Sequence, residues 1–299
     1  MNTLQSAHRA PVNEAIYSVE DEIIDQRQIE LVTSGRSHGP VTRLMSPSDI
    51  GKRIKPFVFL DHVTIVPSEQ PLFGMHPHSG LATITTILKG EMQYEDTTGK
   101  SGVIGAGAVE WMKAGNGVWH EGSVIGKKTL RGFQLWIALP PGEENGPAES
   151  QYIDADFVPQ VGPVRVILGS YGDAVSPIHA PAGIHYYQVN LSRGDTWRYV
   201  PALGHNVAWL AVDQGRLQAP QLVQAGDIAV FEEGYKAIEV YAEEATSFVF
   251  GSAIKHPYPL VLGYYSVHTN RDALARGEAE IHRIGLSLRE QGRFSSIPG

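Results

Sequence analysis

Short runs of apolar residues recur along the chain and are separated by glycine and proline. The runs are rich in Val, Ile, Thr and Tyr and include FVFLDHVTIV, TITTIL, YYQVNL, NVAWLAV and FVFGSAI. Because β-branched and aromatic residues suit strands while Gly and Pro mark turns, this pattern is typical of an antiparallel β protein. Long helical periodicity is missing until the end of the chain. There RDALARGEAEIHRIGLSLREQ predicts a short C-terminal helix, capped by Thr269 or Asn270, interrupted at Gly277 and stopped at Gly292.

An internal repeat indicates two copies of one β-barrel. TTILKGEMQY followed by GVIGAGAVEWM in the first half resembles AWLAVDQGRLQ followed by LVQAGDIAVF in the second. Each copy has a strand, a turn glycine (Gly90 or Gly215), another strand, an Ala-Gly pair and a further strand. The join is predicted in residues 139–150, where proline, glycine and charge replace the strand pattern. We therefore predict domains at residues 1–145 and 146–299, with the N-terminal segment crossing over to the second barrel.

Composition narrows the chemistry that these barrels can carry. The chain has 299 residues, 42% of them hydrophobic, which is enough for two domains that each bury a core. Its net charge of −8, without a block of like charge, argues against a direct nucleic-acid or membrane partner. Cysteine is absent, so any metal must be held by histidine or carboxylate. The N-terminus shows no leader signature, and we expect a cytoplasmic protein.

Three histidines in the first half have the pattern of a metal site. Alternate residues of a strand face the same way, so His76 and His78 present both imidazoles to one face, while Pro77 indicates an edge or a strand start. His120 follows a turn of the same half-barrel and is expected to converge on them. Three neutral imidazoles with open positions suit iron, zinc, copper or nickel. The alternative is that these are ordinary surface or core histidines. The second half, however, has only His205 in the corresponding region. This difference is expected if one barrel is functional and the other is structural.

The residues also resemble a known family. FLDHV, HPHSG, GVIGAGAVEWMKAGNGVWHE and RGFQLWIALP resemble the N-terminal half of the pirin-type bicupins, and LVLGYYSVHTNRDAL resembles their closing strand and tail. The resemblance covers nearly the whole chain. It implies an all-β fold of two antiparallel cupin-type barrels, with a metal, commonly iron, in the first. Some members of the family act as quercetin 2,3-dioxygenases, and others are described as transcriptional cofactors.

The family's ligand pattern is matched only in part. The resemblance assigns three of four metal ligands to His76, His78 and His120. The family usually has a glutamate two residues after the third histidine, and that position here is Gly122, with Glu121 one place early. A regular strand would turn Glu121 away from the metal, whereas a bulge at Gly122 would bring it into the ligand set.

A second carboxylate of the family is also replaced. Where the family often has a glutamate four residues after the second histidine, this chain has Ala82, which a regular strand would place on the face of His76 and His78. The predicted metal ligands are His76, His78 and His120, with Glu121 as the fourth if the strand bulges. Without the bulge, water completes the shell, and the site is less negative than in the family and retains metal more weakly.

Other residues near these motifs are expected to be structural. His62 is predicted to pack beside Asp61, and Glu110 to face solvent. Four large side chains are candidates either for a pocket wall or for the barrel core: Trp111, Met112, Trp119 and Phe133. The histidines without ligand spacing are predicted to be structural or on the surface: His179, His185, His256, His268 and His282.

Three functional hypotheses follow from different classes. The first is a metal-dependent dioxygenase of the quercetinase type, using one divalent ion, Fe(II) first and Zn, Ni, Cu or Mn as alternatives, with a small aromatic or enolic substrate. The second is a non-catalytic regulatory protein that presents its barrel to a protein partner. The third is a metal-free protein whose barrel binds a small ligand or nothing. Metal content separates the third from the others, and oxygen uptake with flavonoids separates the first from the second.

Overall fold

The computed structural model describes residues 26–67 and 73–293. Within them the chain forms two barrels, each built from a seven-stranded and a four-stranded antiparallel sheet, so the predicted pair of barrels is confirmed. The seven-stranded sheet of the first barrel has the order β12 (Glu149–Ile153), β9 (Val109–Lys113), β6 (Leu81–Lys89), β11 (Leu130–Ala138), β4 (Phe57–Ile65), β3 (Val41–Met45) and β2 (Arg36–His38). Its four-stranded sheet has the order β5 (Phe73–His78), β10 (Val118–Ile125), β7 (Glu91–Asp96) and β8 (Ser101–Gly105).

The second barrel repeats this plan. Its seven-stranded sheet has the order β1 (Ile29–Thr33), β22 (Ile228–Phe231), β19 (Val207–Gln214), β24 (Thr246–Ala253), β17 (Ile184–Leu191), β14 (Val164–Leu168) and β13 (Gln160–Val161). Its four-stranded sheet has the order β18 (Thr196–Tyr199), β23 (Ile238–Ala242), β20 (Arg216–Gln218) and β21 (Leu222–Gln224).

Two hairpins and three helical segments complete the described chain. The hairpins are β15 (Ser170–Tyr171) with β16 (Ala174–Val175), and β25 (Val261–Gly263) with β26 (Ser266–His268). The helices are α1 (Ile50–Arg53), a 3₁₀ turn at Ala155–Phe157, and α2 (Arg271–Glu290). No helix in this part of the chain combines the length and apolar character that a membrane span needs. The start of the chain, to which the leader prediction applies, lies outside the described residues.

The two barrels exchange edge strands. Strand β1 lies at the start of the described chain but pairs with β22 of the second barrel, from Ile29 opposite Phe231 to Thr33 opposite Ile228. Strand β12 follows the connection after β11 and pairs with β9 of the first barrel. The predicted crossover of the N-terminal segment is thus confirmed for β1.

A shared hydrophobic core joins the barrels. The outer faces of the two seven-stranded sheets pack against each other, so these strands are buried on both faces and read as nearly continuous apolar runs. Phe57 of the first barrel meets Trp209 of the second edge to face, with ring centroids 5.5 Å apart. Trp111 belongs to this core, so it does not form a pocket wall.

Helix α2 runs unbroken through Gly277, so the predicted interruption is wrong. Asn270 caps it, since its side-chain oxygen accepts a hydrogen bond from the backbone N–H of Ala273 at 2.9 Å. A Cβ at position 277 would lie 2.5 Å from both Ser79 Oγ and His268 Nε2. The glycine therefore lets the helix approach the first barrel closely, and this packing outweighs its low helix propensity.

Candidate metal centre

The three predicted histidines come together at one end of the first barrel. Strands β5 and β10 pair so that His76 lies opposite His120 and His78 opposite Val118, and β5 is an edge strand, as Pro77 indicated. Each ring offers a nitrogen within 4.8 Å of those of the other two, and the Nε2 atoms of His76 and His120 are 3.0 Å apart. The expected convergence of the three imidazoles is confirmed.

Backbone carbonyls fix the orientation of two of these rings. His76 Nδ1 donates to Gly74 O at 2.8 Å, and His78 Nδ1 donates to Tyr265 O at 3.2 Å. A carbonyl can only accept, so the proton is on Nδ1 and the Nε2 lone pair of each ring points toward the other histidines. His78 Nε2 is buried without a hydrogen-bond partner among the described residues. Neutral imidazoles with inward lone pairs fit a metal ion.

Burial keeps two of the histidines neutral. Desolvation, with a further contribution from the nearby His120, lowers the pKa of His76 to about 3. The same causes, together with repulsion from His76, hold the pKa of His78 well below its usual value. Metal binding requires unprotonated imidazole, so these two rings need not lose a proton at neutral pH before they coordinate.

Tyr265 was not predicted and forms one wall of the centre. It lies in the turn between β25 and β26, and its ring centroid is 5.6 Å from that of His76 and 5.8 Å from that of His78. Its backbone φ is +49°, in the left-handed region that non-glycine residues rarely adopt. The turn thus places both the carbonyl that holds His78 and an aromatic ring beside the histidines. No local sequence pattern links this turn to strand β5, more than 180 residues earlier.

Glu121 lies on the face of β10 that is turned away from the histidines. Strand β10 is in regular register with β7, with His120 opposite Asp96 and Glu121 opposite Glu95. The register shift lies on the other side, where β5 has the extra residue. The Glu121 carboxylate pairs with Arg293 at 3.2 Å.

Gly122, which holds the position of the family's glutamate, points into the first barrel. A Cβ added there would overlap the terminal methyl of Met92, a flexible side chain on the neighbouring strand β7. The sulfur-containing side chain thus occupies the space beside Gly122. Ala82 does not share the histidine face either, because Gly80, with φ +75°, ends the extended run after His78 and Ala82 lies in the core between the barrels.

Glu110 is buried inside the barrel, so its predicted exposure to solvent is wrong. The residue is 2% exposed, and its Oε1 lies 3.7 Å from His120 Nδ1. Thr85 Oγ1 donates to its Oε2 at 2.5 Å, and the Tyr152 hydroxyl donates to its Oε1 at 3.3 Å. Trp111 faces the second barrel, so Glu110, the preceding residue of the strand, faces the interior of the first.

A cavity of about 50 Å³ lies beside His76 and His120 and opens to solvent. One part of its wall is apolar and includes Val63, Ile87, Met92, Tyr94 and Leu130. The other part is polar and includes Asp61, Thr85, Glu110 and Gln134. A concave, mainly apolar site with a few polar groups is the usual form of a small-molecule site.

Most of the large side chains considered for this wall lie elsewhere. Phe133 borders the cavity, but Met112 packs with Ala114 and Val118. Trp119 lies under α2 and donates from Nε1 to Ile281 O at 2.7 Å.

His62 is structural, but its partner is not Asp61. His62 Nε2 lies 2.9 Å from Asp213 Oδ1 of the second barrel, and its ring stacks on Phe133. Successive residues of β4 face opposite sides, so Asp61 points into the cavity while His62 points toward the other barrel.

Comparison with known proteins agrees with this architecture. The family model described as Pirin matches residues 40–137. A candidate quercetin 2,3-dioxygenase of Pseudomonas aeruginosa is 30% identical over 245 residues, which cover 75% of this chain and 84% of that protein.

Two solved structures are similar over most of their length. A quercetin 2,3-dioxygenase from Acinetobacter baumannii is 27% identical, with a TM-score of 0.73 over 92% of this chain and 97% of that one. A bacterial pirin of Escherichia coli in complex with nickel(II) is 20% identical, with a TM-score of 0.60 over 74% of this chain and 95% of that one, and supports the fold. The family match, the identity to the Pseudomonas protein and the shared pair of barrels show that this chain belongs to the pirin family of bicupins.

Proposed function

We propose that this protein is a metal-dependent dioxygenase of the quercetinase type. His76, His78 and His120 hold one divalent transition metal ion, with Fe(II) as the first candidate and Ni, Zn, Cu or Mn as alternatives. The substrate is a small aromatic or enolic molecule that enters the cavity beside His76 and His120. The observation that carries the proposal is the convergence of three imidazoles, two of which line a mainly apolar cavity.

The chain's own groups suit this reaction class. A metal in the site would supply Lewis acidity and bring an enolate substrate and O₂ together, since three protein ligands leave positions open. The apolar wall, with Met92 and Tyr94, excludes water and packs against a ring system. Thr85 and Gln134 offer hydrogen bonds to substrate hydroxyls.

Glu121 is left outside the proposed ligand set. Its carboxylate is already paired with Arg293, and the regular register of β10 turns it to the opposite face from His120. The Acinetobacter and Pseudomonas relatives are named for the activity proposed here, and their overall similarity supports the reaction class.

The test uses untagged protein purified without chelators. Elemental analysis is expected to find about one transition metal ion per chain, and an oxygen electrode to record O₂ uptake with quercetin. A matched flavonoid without the 3-hydroxyl is expected to give none, because it cannot form the enolate. Protein that binds none of the five metals after reconstitution would overturn the proposal. Metal-loaded protein that consumes no O₂ with any catecholic or enolic compound would instead favour a regulatory or ligand-binding role.

A further inference from the structure

We propose that Glu110 is the positioning residue for His120: it accepts the proton on Nδ1 in a hydrogen bond and so fixes Nε2 as the metal-facing nitrogen. This inference rests on the metal site proposed above. The carboxylate that supports the site then lies on strand β9 of the seven-stranded sheet, whereas the sequence predicted one on β10, at Glu121.

Two of the three rings have a backbone hydrogen-bond acceptor behind them, and the third has a carboxylate nearby. Gly74 O and Tyr265 O accept from Nδ1 of His76 and His78, which leaves their Nε2 atoms for the centre of the site. For His120, the acceptor that faces Nδ1 is the carboxylate of Glu110 at 3.7 Å. A movement of about 0.7 to 1 Å, well within the reach of a glutamate side chain, brings this pair to hydrogen-bond distance. The outer nitrogen of each ring would then meet an acceptor.

The Glu110 carboxylate is itself held in place. Thr85 Oγ1 donates to one of its oxygens, and the Tyr152 hydroxyl lies 3.3 Å from the other. The single proton of Tyr152 is shared between Glu110 and the buried Asp96, which is closer at 2.9 Å. Among the described residues no Lys or Arg pairs with Glu110, and the basic side chain beside this buried carboxylate is His120. A buried carboxylate is costly unless such a partner exists, and a metal-bound imidazole supplies one.

The second barrel provides an internal reference. Thr85 lies opposite Glu110 on β6 and β9 of the first barrel. The pair at the corresponding place on β19 and β22 of the second is Leu210 opposite Ala229. Among the described residues, the second barrel also has no cluster of three possible metal ligands. The carboxylate and its hydroxyl donor thus occur only in the copy that has the histidine centre.

The first measurement needs no substitution. In wild-type protein loaded with Zn(II), ¹⁵N NMR of the histidine side chains reports which ring nitrogen carries the proton and which binds the metal. We expect His120 to be protonated at Nδ1 and to bind zinc through Nε2, as His76 and His78 do. Coordination of zinc through His120 Nδ1, with the proton on Nε2, would overturn the inference.

The second measurement compares two isosteric variants, Glu110→Gln and Glu121→Gln. Both remove one negative charge, but only the first does so behind His120, because Glu121 is held on the outer face by Arg293. Competition with a chromophoric chelator for Ni(II) or Zn(II) is expected to show about 10- to 100-fold weaker binding in Glu110→Gln, as for other carboxylates behind metal-bound histidines, and little change in Glu121→Gln. Circular dichroism and thermal melting check that both variants fold.

The outcomes separate this inference from the proposed function. Wild-type protein that binds no metal would refute the metal site itself. If wild type binds metal and the two variants bind it equally well, the metal site stands and the role of Glu110 is refuted. If the effect follows Glu121→Gln instead, the carboxylate that matters lies on β10.

Discussion

The two barrels have the same order of paired strands, but the interior of the first is partly polar and the interior of the second is apolar. In each seven-stranded sheet, residues that pair directly across neighbouring strands form a row over six strands, and the two rows occupy matching positions in the two barrels. In the first barrel we call it the polar row, and it consists of Arg43, Asp61, Gln134, Thr85, Glu110 and Tyr152. In the second we call it the apolar row, and it consists of Val166, Tyr187, Phe250, Leu210, Ala229 and Val32. The scaffold is repeated, and the side chains at matching places are not.

The apolar row belongs to a filled core. Phe250 is fully buried, with ring centroids 4.6 Å from Tyr199 and 5.1 Å from Trp197. His185 and His205 of this barrel lie side by side, with ring centroids 4.4 Å apart. Aromatic packing of this kind stabilises a fold but leaves no space for a ligand.

Four members of the polar row line the cavity, and burying such polar side chains costs free energy: Asp61, Gln134, Thr85 and Glu110. Asp61, for example, is desolvated, which raises its pKa, although Arg43 beside it partly offsets the effect. Two copies of one barrel can therefore differ in role: the first has a cavity lined by polar groups, and the second has a packed core that stabilises the fold.

The largest effect is expected from removing one ligand of the histidine centre. His78→Ala should reduce bound metal from about one ion per chain to almost none, because two imidazoles form a much weaker site. The matched variant His205→Ala in the second barrel should keep its metal. Elemental analysis after dialysis measures both. Metal loss in His205→Ala would break the assignment of the two barrels to different tasks.

A large effect on stability is expected in the second barrel. Phe250→Ala should lower the free energy of unfolding by about 3–5 kcal/mol, because it leaves a cavity in a packed aromatic core. Gln134 holds the matching place in the polar row and borders an existing cavity, so Gln134→Ala should change stability by less than about 1 kcal/mol. Urea denaturation of both variants provides the comparison. Equal losses would show that the first barrel depends on its row for packing as much as the second does.

A smaller effect is expected from restoring the family's carboxylate. Gly122→Glu combined with Met92→Ala, which clears the methyl group beside Gly122, should tighten metal binding by about 10- to 100-fold. Glu121→Ala should change affinity little, since that carboxylate is paired with Arg293. Chelator competition on these proteins and on Met92→Ala alone measures the change. Metal loss in Glu121→Ala, with disruption by Gly122→Glu, would mean that Glu121 ligates after all.

The smallest effect concerns protonation in the second barrel. Burial, with a contribution from His205, lowers the pKa of His185 from 6.5 to about 4. Between these values the unfolded chain binds more protons than the folded one, so the stabilising contribution present above pH 6.5 is lost as the pH falls toward 4. His185→Gln should reduce the stability loss between pH 7 and pH 5 by on the order of 1 kcal/mol. Urea midpoints at the two pH values test this, and parallel losses in both proteins would contradict it.

The sequence predicted those features that local pattern controls. Strand runs and turn glycines predicted the repeated barrels, and the alternation of His76 and His78 predicted two convergent imidazoles. Asn270 was one of two predicted caps and is the one observed.

Features that depend on distant packing were missed. Glu110 was misplaced because both faces of β9 are covered, so alternation alone could not tell the barrel interior from the interface. Tyr265 reaches the site through a turn far along the chain, and Gly277 continues a helix because of a close approach to Ser79. No local propensity contains this information.

The exchange of edge strands has a consequence for synthesis on the ribosome. Strand β1 is synthesised long before its partner β22; Ser34, next to β1, and its hydrogen-bond partner Asp227 are 193 residues apart. Until then β1 presents an unpaired backbone edge, which is a template for wrong pairing between nascent chains. A fragment that ends before β12 would also lack the edge strand of its own barrel. The pairing of β1 therefore has to wait for the synthesis of β22, and chaperones that shield strand edges would have the most to protect during this interval.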